Sequence, residues 1–278
     1  MDRLTPLLAH FSPKAAVYFH GSSCQKKQFC PQSGQAYLQL IEAGQGAVVV
    51  NGQQFDITEA CLLFLPRGSA HQFLVEPPQR LLLYCATLDC GETAGNPLLA
   101  ALPDCSIIPL SRCSSLRAII QLIWQENQSQ SCGRDAALQR LTEYLLILLL
   151  RHVLAENSLQ TGFIAGLADK KLAAVFSALH QQPELEWTLE AMALEAGMSR
   201  ARFASHFRAV VGQTPADYLL NWRLTLARKQ LMAGQTLKQI APKVGYQSVA
   251  AFHRAFRQRL GVSPKVWLNQ VQLPQHPA

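Results

Sequence analysis

Residues 188–218 read TLEAMALEAGMSRARFASHFRAVVGQTPADY, and residues 236–267 read TLKQIAPKVGYQSVAAFHRAFRQRLGVSPKVW. The second stretch is the first written again. Thr188 pairs with Thr236, Gly197 with Gly245, Phe203 with Phe252, Phe207 with Phe256, Gly212 with Gly261, Pro215 with Pro264 and Tyr218 with Trp267. The offset is 48 residues up to the turn glycine and 49 beyond it, so the second copy has one extra residue in its turn. A supersecondary unit repeated in register weighs more than any single motif.

Each copy reads as helix, glycine turn, helix. Thr188 and Thr236 suit N-caps, and Thr236 with Gln239 makes a capping-box pair. Leu189, Met192, Ala193 and Ala196 recur at helical spacing. Gly197 fits a left-handed C-terminal cap, a conformation that a residue without Cβ adopts cheaply. Ser199 and Ser248 then start the second helices. This is the helix-turn-helix layout. Pro242 breaks the regularity of the second copy, because an interior proline removes a donor and costs ~3 kcal/mol.

The faces of the second helices follow from their period. Phe203 and Phe207 lie four apart and point to the core, as do Phe252 and Phe256. A rotation of about 100° per residue turns Ala201, Ala204, Ser205 and Arg208 outward, and likewise Ala250, His253, Arg254 and Arg257. Outward arginines, serine and histidine suit a DNA major groove, where Arg takes guanine bidentately. Arg200, Ala201, Ser205, His253 and Arg254 are the candidate base contacts. Arg202, Arg208, Arg257 and Lys238 are the candidate phosphate contacts, and Ser199, Gln247 and Ser248 at the helix starts complete the set.

The region from about 170 to 270 resembles the DNA-binding domain of AraC/XylS-type transcription regulators. The match is carried in copy two by Ile240, Ala241, Val244, Gly245, Tyr246, Ser248, Ala251, Phe252, Arg254, Ala255, Phe256, Gly261, Ser263 and Pro264. The resemblance implies two helix-turn-helix subdomains joined by a long helix, and Asn221–Met232 looks like that connector. It also implies double-stranded DNA as partner, and RNA polymerase where such a protein activates.

Charge divides the chain in the same place. Residues 1–168 hold 11 Lys+Arg against 12 Asp+Glu, while residues 169–278 hold 14 against 6. After Glu195 the only acid is Asp217. The net +7 therefore belongs to the repeated region, where a basic field favours phosphate. With 278 residues there is room for two domains. No apolar run approaches the ~20 residues of a membrane span. MDRLTPLLAHF does not read as a signal peptide, so a cytoplasmic protein is expected.

Before the repeats the pattern is different. A short helix over Leu4–His10 and a strand in AAVYFH lead into short apolar runs: AYLQLIEAG, GAVVVNG, QQFDIT, ACLLFLP, HQFLV and RLLLYCATL. Asn51-Gly52 marks a hairpin. Many short strands mean a sandwich or barrel. The order of strands, with LPRGSAH after a buried one, resembles the cupin-type sensor half that precedes many AraC-type domains. The expected fold class is therefore α+β. A cupin-like β-barrel with flanking helices (1–113) is followed by a helical pair and linker (114–160) and an all-α DNA-binding domain (169–270).

Two helices are expected in the middle segment. One carries the stripe Leu116, Ile119, Ile120, Ile123 and Trp124. The other, from about Ala136 to Ala155, is apolar nearly all round, which points to burial between domains or to a homodimer. ENSLQTGFIAG reads as the linker, and Asp169–His180 as the first helix of the DNA-binding half.

All eight cysteines lie in the first 132 residues, without CxxC or zinc spacing. A metal cupin needs a histidine pair and a carboxylate. Ala36–Glu42 holds no histidine and His71 alone cannot hold a metal, so no catalytic residue, metal or cofactor is expected. His71 reads as a turn residue or a polar group at the barrel mouth. The signal is either a small effector in the barrel or an oxidant. Cys24, beside Lys26 and Lys27, and Cys85, in Cys85-Ala86-Thr87-Leu88, are the redox candidates. Their places are similar to those in oxidant-sensing, reactive-chlorine-responsive regulators with this kind of sensor half. Two other classes stay open: a cupin metalloenzyme with an incidental DNA-binding tail, and a nonspecific DNA-binding protein.

Overall fold

The computed structural model describes residues 2–23, 27–29, 35–90, 96–156 and 161–272. The chain forms two units: residues 11–158, and residues 1–10 together with 159–278.

The first unit is built on two antiparallel sheets. Its strands are β1 (Lys14–Ser23), β2 (Lys27–Phe29), β3 (Gln35–Ala43), β4 (Gly46–Val50), β5 (Gln53–Ile57), β6 (Cys61–Leu65), β7 (His71–Leu74), β8 (Leu81–Asp89) and β9 (Ser106–Pro109). One sheet has the order β1-β8-β3-β6-β9, the other β2-β7-β4-β5. Asn51 and Gly52 take φ of +49° and +82°, and Val50 pairs with Gln53, so the Asn-Gly pair makes the expected two-residue hairpin. Tyr37, Ile41, Leu63, Leu65, Phe73, Leu83 and Cys85 pack from both sheets into one core.

Strand β3 is buried along almost its whole length. The reason is a second cover on the five-stranded sheet. Helices α3 (Ser114–Gln128) and α4 (Arg134–Glu156) pack on each other, and α4 packs on β1. The Tyr84 hydroxyl of β8 bonds Thr142 of α4 at 2.8 Å, and its ring lies 6.1 Å from Trp124 of α3. α3 buries the stripe read from its sequence. α4 buries Leu138, Thr142, Leu145, Leu146, Leu149 and Leu150 and leaves Tyr144 exposed, and α3 leaves Leu122 exposed. A four-residue helix, α2 (Pro97–Ala100), precedes β9.

The second unit is helical: α1 (Thr5–Phe11, through His10), α5 (Phe163–Ala168), α6 (Leu172–Gln181), α7 (Leu189–Glu195), α8 (Arg200–Val211), α9 (Pro215–Met232), α10 (Leu237–Lys243), α11 (Val249–Leu260) and α12 (Pro264–Gln272). Around α5 and α6 the structure differs from the expectation. The end of the expected linker, GFIAG, is helix α5, buried from Phe163 to Leu167. Gly166 permits this, since a Cβ there would come within 2.5 Å of the Phe176 ring. Asp169 is not inside α6 but caps it, accepting the Lys171 and Leu172 amides at 2.8 and 2.9 Å.

The first ten residues, read as part of the sensor half, group with the C-terminal helices. Arg3 donates to the Leu167 carbonyl and Lys229 to the His10 carbonyl. The His10 ring meets the His180 carbonyl at 3.0 Å and the edge of Trp222 at 5.3 Å. His180 is fully buried among Phe163, Phe176, Tyr218 and Trp222, and bonds the Tyr218 hydroxyl. Burial, and secondarily His10, pull its pKa down to about 3. The unfolded chain binds the proton near pH 6.5, so stability is full above that and is lost as pH falls toward the folded value. Going from pH 7 to pH 5 is expected to remove on the order of 2 kcal/mol from this unit. Urea melts of the wild type and His180→Gln at both pH values check this. An unchanged pH dependence in the variant removes His180 as the cause.

Candidate nucleic-acid interface

In the first copy the Thr188 hydroxyl caps α7, accepting the Ala191 amide at 3.1 Å. The chain turns at Gly197, φ +60°, and the Met198 amide bonds back to the Ala193 carbonyl. Ser199 occupies the N-cap of α8 without a side-chain bond. The second copy repeats this with a capping box at Thr236 and Gln239, Gly245 at φ +78°, and a Tyr246 amide bonded to the Ala241 carbonyl. Ser248 caps α11, accepting the Ala251 amide at 3.1 Å. α10 runs through Pro242. The donor that Pro242 lacks would have met the carbonyl of Lys238, an exposed residue, so the helix survives at the solvent side.

The two second helices present the faces that their periods require. Phe203, Phe207, Phe252 and Phe256 are fully buried. Ser199, Arg200, Ala201, Arg202, Ser205 and Arg208 are exposed on or near α8. Gln247, Ser248, Arg254 and Arg257 are exposed on or near α11, with His253 half-buried and Lys238 exposed on α10. Arg200 pairs with Glu190 at 2.8 Å; both side chains are exposed, so the pair is weak and is exchangeable for a phosphate. No acid lies in the second copy at all. Its outward face therefore offers cations without internal competitors.

Arg223, which the sequence reading left inside the connector, has a role of its own. Its Nε and Nη2 donate to the Pro183 and Leu185 carbonyls at 2.8 and 2.7 Å, ahead of α7. Its guanidinium also lies 5.9 Å from the Tyr246 ring and against Gly245, where a Cβ would approach within 2.5 Å. One α9 side chain thus ties the entry to the first copy to the turn of the second. Long-range partners of this kind leave no periodic signal. A cleft of 770 Å³ opens beside it, lined by Trp187, Met192, Ser205, Arg208, Leu219 and Tyr246 among others. Two of the candidate DNA contacts, Ser205 and Arg208, border it.

In the sheet unit, His71 is buried rather than part of an open turn. It stacks on Phe29 at 4.6 Å and meets Tyr37 edge-on at 4.9 Å. Its Nδ1 donates to the Ser69 carbonyl at 2.9 Å, which leaves Nε2 to accept from the Gln39 amide at 2.6 Å. Burial lowers the His71 pKa, so the ring stays neutral. The same Gln39 amide donates to the Tyr18 hydroxyl at 3.2 Å, and the buried Gln39 Oε1 has no hydrogen-bond partner among the described residues. Cys85 is buried in the core beside Tyr18. Cys24 lies outside the described residues. Among the described residues no three His, Cys, Asp or Glu are placed to hold a metal, and no helix is long and apolar enough to cross a membrane.

Residues 2–155 match a cupin family model and residues 192–270 a helix-turn-helix domain model. The HTH-type transcriptional regulator AlkR of Acinetobacter baylyi is 35% identical over 243 residues, covering 75% of this chain and 79% of its own. The RCS-specific HTH-type transcriptional activator RclR of Escherichia coli K12 is 30% identical over 227 residues, covering 80% of this chain and 79% of its own. The crystal structure of the DNA-binding domain of AdpA in complex with a target DNA aligns at 28% identity over 39% of this chain and 99% of its own, with a TM-score of 0.34. The two in-register helix-turn-helix copies, the two-sheet unit ahead of them, the two family models and the AlkR and RclR sequences agree: the chain belongs to the AraC family of DNA-binding transcription regulators with a cupin-type N-terminal domain.

Proposed function

We propose that this regulator reads a specific promoter with α8 and α11 in successive major grooves, about 34 Å apart on one DNA face, and that oxidation of its sheet unit alters that binding. The observation that carries the first half is the pairing of buried Phe203, Phe207, Phe252 and Phe256 with an outward cationic face on each helix. Arg254 leads the base contacts. Arg202, Arg208, Arg257 and Lys238 hold phosphates. The second half rests on Cys24 and Cys85 and on the likeness to RclR, whose name calls it RCS-specific. Exposed Leu122 and Tyr144 on α3 and α4 supply the apolar face for a homodimer. The protein works in the cytoplasm, beside RNA polymerase where it activates, and catalyses nothing.

The test is binding to the DNA upstream of its own gene, with reduced protein and with protein given mild hypochlorite, against a random duplex at equal salt. The expected result is a change in affinity or footprint that reductant reverses and that Cys24→Ser or Cys85→Ser removes. Specific binding indifferent to oxidant favours a small effector instead. The place for it is the unpartnered Gln39 Oε1 in its aromatic surroundings, which accepts a hydroxyl or amine donor. Equal affinity for promoter and random DNA removes the sequence-specific reading altogether.

A further inference from the structure

Cys113 sits at the junction of β9 and α3, away from both redox candidates in sequence. It is the N-cap residue of α3, and its side chain caps nothing. Its sulfur lies 3.5 Å from His152 Nδ1 on α4 and 3.4 Å from the Ser115 hydroxyl. The other ring nitrogen of His152, Nε2, lies 3.2 Å from a Glu156 carboxylate oxygen one turn further along α4. A carboxylate only accepts, so it holds the proton on Nε2 and leaves the Nδ1 lone pair facing the thiol. Thiol, imidazole and carboxylate thus stand in the order in which a base removes a proton from a nucleophile and an acid steadies the base.

Four other described cysteines are placed differently. Cys61, Cys90 and Cys105 are pushed up to about 12, 12 and 11 by burial and by the adjacent Glu59, Asp89 and Asp104. Those sulfurs stay as thiols and fill space. Cys132 is exposed, in the turn before α4. Cys113 is buried, but Ser115 and Glu156 on either side of it are exposed, so the group of four residues reaches the surface at its edge.

We propose that Cys113 is a reactive thiol which a hydroperoxide oxidises to sulfenic acid, with His152 as its base and Glu156 as the residue that positions His152. His152 Nδ1 takes the thiol proton as the sulfur attacks the terminal peroxide oxygen. The S–O bond forms, the O–O bond breaks, and the leaving hydroxide collects the proton from His152 as water. Sulfur gives up two electrons and the peroxide gains them: one thiol and one hydrogen peroxide become one sulfenic acid and one water. Sulfenic acid is the reversible step of thiol oxidation. The proposal adds a modification site to the oxidant reading above but does not depend on it, since it is read on the thiol and not on DNA.

The experiment uses the full chain carrying Cys24→Ser and Cys85→Ser, treated with hydrogen peroxide at pH 7 in the presence of dimedone. Labelling is followed peptide by peptide. Exposed Cys132 is the reference for an ordinary thiol, and buried Cys61 reports unfolding. Cys113 is expected to label at least about tenfold faster than Cys132 despite its lower exposure. His152→Gln is expected to remove that advantage, and Glu156→Gln part of it, with Cys132 unchanged and Cys61 unlabelled. If His152→Gln unfolds the unit, Cys61 labels, and Glu156→Gln, on an exposed side chain, then carries the comparison. Cys113 labelling no faster than Cys132, or at the same rate in folded wild-type and variant proteins, overturns the proposal.

Discussion

Phe207→Ala is expected to cost the helical unit about 3–5 kcal/mol, read as a fall in its urea midpoint. Phe207 is fully buried. Its ring stacks on Phe176 of α6 at 5.7 Å, and meets Phe203 at 5.6 Å and Tyr218 of α9 at 5.8 Å. One side chain thus joins α8 of the first copy to α6 and to the connector α9. Removing the ring loses its transfer free energy and leaves a hole that stiff aromatic neighbours do not close. Phe207→Leu keeps most of the volume and is expected to cost less than about 1.5 kcal/mol. Among the described residues, the equivalent Phe256 meets rings of its own subdomain alone, Phe252 at 5.7 Å and Trp267 at 6.0 Å. Phe256→Ala should therefore loosen the second subdomain, where Phe207→Ala weakens the whole unit. With domain stabilities of about 5–15 kcal/mol, the Phe207 change alone removes roughly a fifth of the total or more. A loss below about 1 kcal/mol would show that the ring cluster is not what holds the subdomain together.

The parts of this fold that were legible in advance are those that chemistry writes locally. A helix-turn-helix announces itself through a cap, a glycine at positive φ and aromatic residues four apart, and Thr236, Gly245, Phe252 and Phe256 each stand where that reasoning put them. The strands were legible for the same reason, since Asn51-Gly52 and the apolar runs act within a few residues. What the local pattern misses is set by distant packing. GFIAG has the composition of a linker, and its packing on α6 and α8, with the Phe176 ring against Gly166, makes it a core helix. The opening helix docks on residues more than 150 positions away, through Leu167, His180 and Lys229. Among candidate contacts, exposure was foreseeable from the rotation about each helix, except at His253, which is half-buried. The Arg200–Glu190 pair was not, because it joins two helices. The cysteines show the same limit. Lys26 and Lys27 drew attention to Cys24 by adjacency, whereas His152 reaches Cys113 from 39 residues away, on a helix whose register had to be known first.

Arg254→Ala is expected to weaken binding to the cognate site by about 1–3 kcal/mol, roughly 5- to 150-fold, and to relax preference at one base position. Two phenylalanines flank it on α11. Phe252 and Phe256 are both fully buried, and each lies two residues from Arg254, a rotation of about 200°. Arg254 is therefore opposite the buried stripe, and it is exposed. The Ser248 cap starts α11 six residues earlier, which places Arg254 in the second turn, within the N-terminal half that enters a groove. No acid in the second copy competes for its guanidinium. A base contact and a phosphate contact then predict different things. A phosphate contact is lost equally on promoter and random DNA and lowers the salt slope by about one. A bidentate base contact is lost on the promoter and hardly at all on random DNA. Arg254→Lys separates the two further, because it keeps the charge and loses the planar fork. It should bind random DNA like wild type and the promoter nearly as badly as the alanine variant. Arg257→Ala, one turn further from the helix start, serves as the phosphate comparison. Equal losses on both DNAs for Arg254→Ala would move it into the class of Arg257 and return the base-reading role to His253 and the first copy.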